Sequence, residues 1–575
     1  MSVLRVWAPR ADRVELEVAA GRRPMAPSEG GWWTVDAPDV DTEVDYAFAV
    51  DGGPARPDPR APRLPSGVHG PARRVDHEAF PWTDGGWQAP DLRDGVVYEL
   101  HVGTCSPAGT FDGVVDRLDH LVALGVTHVE LMPANSFPGA FGWGYDGTGL
   151  FAPHEPYGGP DGLKRLVAAC HARGLAVILD VVYNHFGPDG NYLPVFGPYL
   201  TSRIRTPWGD AVNFGDAGSD EVRRFVIDSA LSWLRDYHLD GLRLDAVHAI
   251  VDLTATHILE ELAGEVRALE AQLGRPLVLV AESDLNDPRI LRAPAVGGYG
   301  LDAQWSDDLH HALHVALTGE RDGYYEDFTG LADLAISLEG SWVYGGSYSP
   351  HRGRRHGRSS EGIAPNRLLG FLQNHDHVGN RAAGDRISML VDDARLRVGA
   401  ALVLTAPFTP MLFAGEEWGA RTPFLYFADH ADAALRAAVR GGRRAEFASF
   451  GWAPEDVPDP GDPQTYRRSF LEWAEPERQP HAGLLDWYRH LIALRRRLPV
   501  LRDGTRPTAT ADVASGTLLV ARPGVAVAAN LGPRPAYVPM PPGLAAREVL
   551  ASLPDVRVTD ADVALPPWSV AIVAG

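Results

Sequence analysis

The sequence predicts an α/β chain built on a (β/α)8 barrel, with a β-sandwich before it and an all-β domain after it. Three observations carry that prediction. From about residue 95, short apolar runs alternate with amphipathic stretches over roughly 400 residues, the length of a large barrel with loop insertions. Residues 1–90 instead alternate apolar and polar side chains at period two, and the same texture returns from about 503. At 575 residues the chain is too long for one core, which fits a division into 1–90, 91–502 and 503–575.

In the first segment Val3, Arg5 and Trp7 share one face, Val44, Tyr46, Phe48 and Val50 share another, and proline and glycine clusters mark a linker at 51–71. Eight strand-like runs follow: GVVYELHV (95–102), VTHVELMP (126–133), LAVILDVV (175–182), LDGLRLDAV (239–247), PLVLVAE (276–282), LDAQW (301–305), LLGFLQN (368–374) and TPMLFAG (409–415). Between them, 161–174 reads as a helix capped by Asp161, with Leu163, Leu166, Val167 and Cys170 on one face and Gly174 at its end. A second helix spans 112–125, with Val115, Leu118 and Val122 inward. A doubly wound open sheet competes with the barrel, but the first strand is not followed by a glycine-rich phosphate turn. GTLLVARPGVAVAANLG predicts a hairpin about Arg522-Pro523-Gly524, WSVAIVAG a closing strand, and HRGRRHGRSS (351–360) a solvated surface loop.

Composition narrows the function. A formal net charge of −22 argues against nucleic acid as a partner, whereas neutral sugar chains are not repelled. Positive charge comes from arginine, Lys164 being the only lysine. No apolar run reaches the ~18 residues that span a bilayer, so no membrane partner is expected. The first residues lack a basic stretch followed by an apolar one, and two cysteines make no disulfide framework, so a cytoplasmic location is expected. No cofactor and no metal are expected, since no closed cage of oxygen ligands stands out.

Catalytic groups of a barrel gather where its strands end. Here strand three ends in Asp180-Val-Val-Tyr-Asn184-His185, strand four in Arg243-Leu-Asp245-Ala-Val-His248, strand five in Ala281-Glu282-Ser283, and strand seven in Gln373-Asn374-His375-Asp376-His377. One such ending is commonly a helix cap. Four together, beside apolar strands, point to chemistry, because unpaired charges are seldom buried. Arg243, two residues before Asp245 on the same strand face, would keep that carboxylate charged, and the apolar run LVLVA before Glu282 favours a protonated carboxyl there.

These four segments resemble, in order and spacing, the signature regions of the α-amylase superfamily of glycoside hydrolases over about residues 95–500. The resemblance implies Asp245 as nucleophile, Glu282 as general acid/base and Asp376 as transition-state stabiliser. It also implies Arg243 as partner of Asp245, His185 and His375 on sugar hydroxyls, and Tyr145 and Asp146, in WGYD, as an aromatic platform and its supporting acid. ELHVGTCSPAGTFDGVVDRLDHLVALGVTHVELMP, FGWGYDGTGLFAPHEPYGGPDGL, QWSDDLHHALH and LFAGEEWG narrow the resemblance to the branch that hydrolyses α-1,4-glucan chains capped by trehalose, releasing trehalose. Trp143, Trp305, Asp308 and His248 complete the expected substrate-binding set, and Tyr348 and Trp418 also lie near rim segments. Where many α-amylases carry Lys then His after the nucleophile, this chain has His248 and Ala249. That pair either faces the leaving group or merely starts a helix. A glucan-branching or debranching enzyme, and a non-catalytic glucan-binding protein, are the alternatives.

Overall fold

The computed structural model describes residues 3–448, 453 and 457–575. Its centre is a closed barrel of eight parallel strands. They are β1 (Val97–Leu100), β2 (His128–Leu131), β3 (Ala176–Val181), β4 (Gly241–Leu244), β5 (Val278–Ala281), β6 (Ala303–Trp305), β7 (Leu368–Phe371) and β8 (Thr409–Phe413), paired in chain order with β8 closing on β1. Each falls inside a predicted run. Being covered on both faces, these strands are apolar nearly throughout rather than alternating. Val97, Ile178, Val280, Ala303, Trp305, Leu369, Phe371 and Met411 pack together as one buried cluster.

The helices depart from expectation in detail. The segment 112–125 is two helices, α1 (Phe111–Val115) and α2 (Leu118–Leu124), with Thr110 accepting from the Gly113 N–H at the start. Phe111, Val114, Leu118, Leu121 and Leu124 are buried, while Val122 is 44% exposed. The break at Asp116-Arg117 rotates the inward face by about one residue, so Val122 turns to solvent. Helix α3 (Gly159–His171) buries Leu163, Leu166, Val167 and Cys170 as predicted. Asp161 is not its cap: the N-cap is Gly158, and Asp161 sits inside the first turn, where a carboxylate still favours the helix dipole.

Before the barrel lie a three-stranded antiparallel sheet (Val3–Trp7, Trp32–Asp36, Ala26–Pro27) and a four-stranded one (Gly21–Pro24, Val14–Val18, Asp45–Val50, Ala72–Arg73). Leu4 and Val6 point inward, so the face shared by Val3 and Arg5 is the solvent one. Trp7 is buried edge-on against Tyr199 (5.3 Å), and Arg60 pairs with Asp228 at 2.7 Å, tying the sandwich to the barrel. After the barrel come a five-stranded and a three-stranded antiparallel sheet. The predicted hairpin is there, with Arg522 opposite Val525, and Ser569–Ala574 is the closing strand. Buried Arg495 donates to the carbonyls of Leu404, Ala406 and Phe408, fixing the last long helix to the barrel. Among the described residues no helix is long and apolar enough to cross a membrane.

Candidate active site

Strand register assembles the site. In the parallel pairing of β3, β4 and β5, Asp180 lies beside Arg243, and Arg243 beside Val280. The chain then leaves β4 and β5 with Asp245 and Glu282 flanking Arg243. Its guanidinium meets three carboxylates: Nη1 is 2.6 Å from Asp180 and 3.1 Å from Asp245, and Nη2 is 3.0 Å from Glu282. Burial alone would lower the Arg243 pKa, but these acids raise it well above its ordinary value. Burial pushes Asp180 up to about 7, against the pull of Arg243.

Asp245 is held at both oxygens, Oδ1 by Arg243 and Oδ2 by the Asn184 amide at 2.7 Å. Asn184 in turn accepts from His185 Nδ1 at 2.5 Å, which turns that ring toward the cavity, stacked on Trp208. Burial lowers the His185 pKa to about 4, so the imidazole is neutral there.

Glu282 is not in the apolar setting expected from LVLVA. Besides Arg243, its Oε2 accepts the N–H of Ala246 at 2.6 Å. Ala246 reaches it from a left-handed conformation (φ 41°, ψ 50°), which costs an L-residue about 1–2 kcal/mol. A strained residue directly after one rim carboxylate thus orients the next.

The far wall comes from β1, β7 and the WGYD loop. His375 Nδ1 meets Glu99 at 2.5 Å, and Tyr145 Oη lies 2.7 Å from His375 Nε2 and 2.6 Å from Asp180. Burial would lower the His375 pKa, but Glu99 more than offsets this and raises it. When His375 is protonated it donates to Tyr145, whose hydroxyl then donates on to Asp180. Burial, with Glu282 nearby, raises the Asp376 pKa despite the opposing charge of His375. Two glycines allow the approach. Gly144 has φ +96°, and a Cβ there would meet the Pro133 carbonyl at 2.2 Å. A Cβ on Gly187 would lie 2.0 Å from the Asp146 carbonyl.

Asp245, Glu282, Asp376, Trp143, Tyr145, Asp146, His185, His248 and His375 all line one cavity of about 620 Å³, with Arg243 just beneath. Three expected substrate residues, Arg243, Trp305 and Asp308, do not. Trp305 is 1% exposed and packs 4.1 Å from the Arg243 guanidinium, supporting it from below. Asp308 is buried in the helix after β6, α4 (Asp307–Thr318), where it accepts from the Asn286 amide and the Tyr344 N–H, both at 3.0 Å. Its neighbour Asp307 faces the cavity instead. Trp418 is fully buried, Tyr348 lies exposed away from the lining, and Ala249 is not part of it. His248 stands on a one-turn 3-10 segment, its Nδ1 4.0 Å from Asp284.

Sequence reasoning missed Asn184 and Glu99 as positioning groups, and Asp284, Asp307, His351 and Arg352 on the cavity wall. The stretch read as a solvated loop forms a hairpin, Tyr348–Ser349 with Arg354–Arg355. Its Arg352 pairs with Asp284 at 3.0 Å, and His356, 2% exposed, lies 2.8 Å from the Asp284 carbonyl.

Residues 79–194 match the catalytic-domain model of alpha amylase, and 502–572 match a domain of unknown function. The chain is 54% identical over 547 residues to the malto-oligosyltrehalose trehalohydrolase of Arthrobacter ramosus, covering 94% of each chain. It is 50% identical to that of Mycobacterium tuberculosis over 550 residues, again 94% of each. A crystal structure of an α-amylase candidate from Salmonella typhimurium superposes with a TM-score of 0.91 at 37% identity, covering 100% of this chain and 97% of that one. With this identity along nearly its whole length, and with the cavity just described, the chain belongs to the malto-oligosyltrehalose trehalohydrolases of the α-amylase family.

Proposed function

We propose that Asp245 is the nucleophile, Glu282 the general acid/base and Asp376 the group that holds sugar hydroxyls in the hydrolysis these enzymes carry out. The enzyme is a glycosidase that releases trehalose. On this reading the substrate is maltooligosyltrehalose, and the bond cleaved is the α-1,4 link between the maltooligosyl chain and its terminal trehalose. Glu282 protonates the glycosidic oxygen as trehalose leaves. Asp245 attacks the anomeric carbon, and Glu282 then takes a proton from the water that frees the maltooligosaccharide. The observation that carries this is the single guanidinium of Arg243 touching both Asp245 and Glu282, which holds two carboxyls on one side of the cavity. Tyr145, Asp146, His185 and His375 surround the sugar being cleaved, and Trp143 packs behind Tyr145.

The proposed division is 1–90, 91–502 and 503–575, supported by stretches that hold only a short 3-10 turn between Arg73 and β1 and between Arg497 and the first C-terminal strand at Thr508. The test of function is product analysis on maltotriosyltrehalose. Trehalose should be released with the α anomer of the maltooligosaccharide first, by proton NMR. Prompt β anomer overturns the double-displacement reading, and glucan transfer without free trehalose overturns the hydrolytic one.

A further inference from the structure

We propose that His310, His311 and His377 form a binding site for a transition-metal ion, Zn²⁺ above all, in the wall of the active-site cavity. His310 and His311 lie on α4, and His377 on the short helix after β7 (His375–Gly379). One ligand atom from each lies within 4.8 Å of the other two. The rings of His310 and His377 are 3.8 Å apart between centroids, and those of His311 and His377 are 5.3 Å apart.

The protons are placed as a metal requires. His310 Nδ1 is 2.8 Å from the Leu372 carbonyl, which can only accept, so Nδ1 carries the proton and Nε2 keeps its lone pair. The Tyr325 hydroxyl, 3.0 Å from that Nε2, then donates to it, so an ion bound there displaces this hydrogen bond. His377 follows the same logic: its Nδ1 is 2.8 Å from Asn374 Oδ1, an oxygen that also accepts the His377 backbone N–H. Two of the three imidazoles thus commit Nδ1–H to an oxygen and keep Nε2 free of a proton. That is the outer arrangement that fixes metal-binding histidines. Burial lowers the pKa of all three rings, with His377 adding to the effect on His310 and His311, and His314 and His375 adding to it on His377.

Three imidazoles select Zn²⁺, Cu²⁺ or Ni²⁺ over the oxygen-seeking Mg²⁺ and Ca²⁺. A tetrahedral ion holds its nitrogens about 3.4 Å apart, so closing the triad takes a shift on the order of one ångström. Asp307 and Asp376 line the same cavity, and of the basic groups that act on the triad, Arg352 is paired with Asp284 and His375 with Glu99. His311 and His377 both face the cavity, so an ion seated there occupies the wall next to Asp376 and competes with sugar. The site is therefore inhibitory, and it does not depend on which carboxylate is the nucleophile.

The test uses the full-length enzyme freed of metal by a chelator and dialysed. Zn²⁺ alone is titrated by calorimetry, and Co²⁺ is followed by its visible absorption. One ion per chain should bind, the Co²⁺ spectrum should show low-coordinate nitrogen ligation, and affinity should fall about tenfold or more in both His311→Ala and His377→Ala. His351→Ala removes another cavity histidine and should leave Zn²⁺ affinity unchanged. Inhibition of trehalose release by Zn²⁺ should be competitive, reversed by chelator and weakened in His311→Ala. Absence of stoichiometric binding, or equal affinity in the triad variants and wild type, overturns the proposal. If His310→Ala does not fold, the two cavity-facing variants still decide it.

Discussion

Replacing Glu282 by Gln and Asp245 by Asn should separate two roles that a simple activity loss would confuse. Glu282 Oε2 accepts from Ala246 at 2.6 Å and Arg243 at 3.0 Å. A glutamine oxygen can keep both bonds, and Arg243 still has Asp180 and Asp245, so folding should change by about 1 kcal/mol or less. Asp245 differs, because both its oxygens face donors, Arg243 and the Asn184 amide. An asparagine must turn its own NH₂ toward one of them, leaving opposed donors at a cost of about 1–3 kcal/mol. The chemical loss should be larger. Removing the proton donor costs typically 10²–10⁴-fold, roughly 3–5 kcal/mol of barrier. The assay compares maltotriosyltrehalose with α-maltosyl fluoride, whose fluoride departs without protonation. Glu282→Gln should release a burst of one fluoride per chain and then stall, because the second step needs its base, and azide should relieve the stall. Asp245→Asn should show no burst and the lower melting temperature. A burst in Asp245→Asn, or Glu282→Gln retaining more than about a tenth of wild-type turnover on the natural substrate, would refute the assignment.

Three further outcomes are expected. Burial raises the Glu416 pKa from 4.5 to about 8. Between those values the unfolded chain has given up a proton the folded one keeps, so this group makes stability fall as pH rises. Glu416→Gln should flatten the fall in melting temperature between pH 5 and 8, and an unchanged slope removes Glu416 as its source. Glu99→Gln takes away the carboxylate that raises the His375 pKa, so charge on His375 should be lost at lower pH. The alkaline limb of the kcat/KM profile should move to lower pH, and a limb that stays put shows that the imidazolium is not required. Replacing His248-Ala249 with Lys-His should lower kcat/KM several-fold more for the trehalose-capped substrate than for maltoheptaose, the worth of a hydrogen bond of ~0.5–1.5 kcal/mol. Equal losses on both leave these residues as no more than the turn after β4.

The barrel was legible because a parallel strand covered on both faces leaves a largely apolar run, even where Glu99, Glu130, Asp180, Arg243 or Gln304 interrupts it. The rim carboxylates were legible for the same reason, since a polar residue directly after such a run can only stand at its end. Helix faces were less secure. One continuous helix over 112–125 would bury Val115, Leu118 and Val122; Leu118 is buried as expected, but the break at Asp116-Arg117 puts Val114 and Leu121 inside in place of the other two. Glu282 shows a different limit. Its sequence neighbours are apolar, but its spatial neighbours are a guanidinium and a strained N–H from the adjoining strand.

The case of Asp307 and Asp308 shows where motif reading stops. Both belong to QWSDD, both follow β6, and either could be the acid that meets sugar. They begin a helix, where adjacent residues point about 100° apart, so only one can face the cavity. The choice depends on what packs behind the helix. Asn286, from the segment after β5, and Tyr344, from the segment before the 348–355 hairpin, both bring donors to Asp308. That leaves Asp307 turned toward Glu282, Asp284 and Asp376, whose charges add to burial in raising its pKa. The Asp308 bonds also place the segment carrying Asp284 and the stem of the hairpin that carries Arg352. The carboxylate read as a sugar ligand therefore braces two stretches distant in sequence. The residues those stretches deliver to the cavity, Asp284 and Arg352, carried no local signal because their partners lie 68 positions apart.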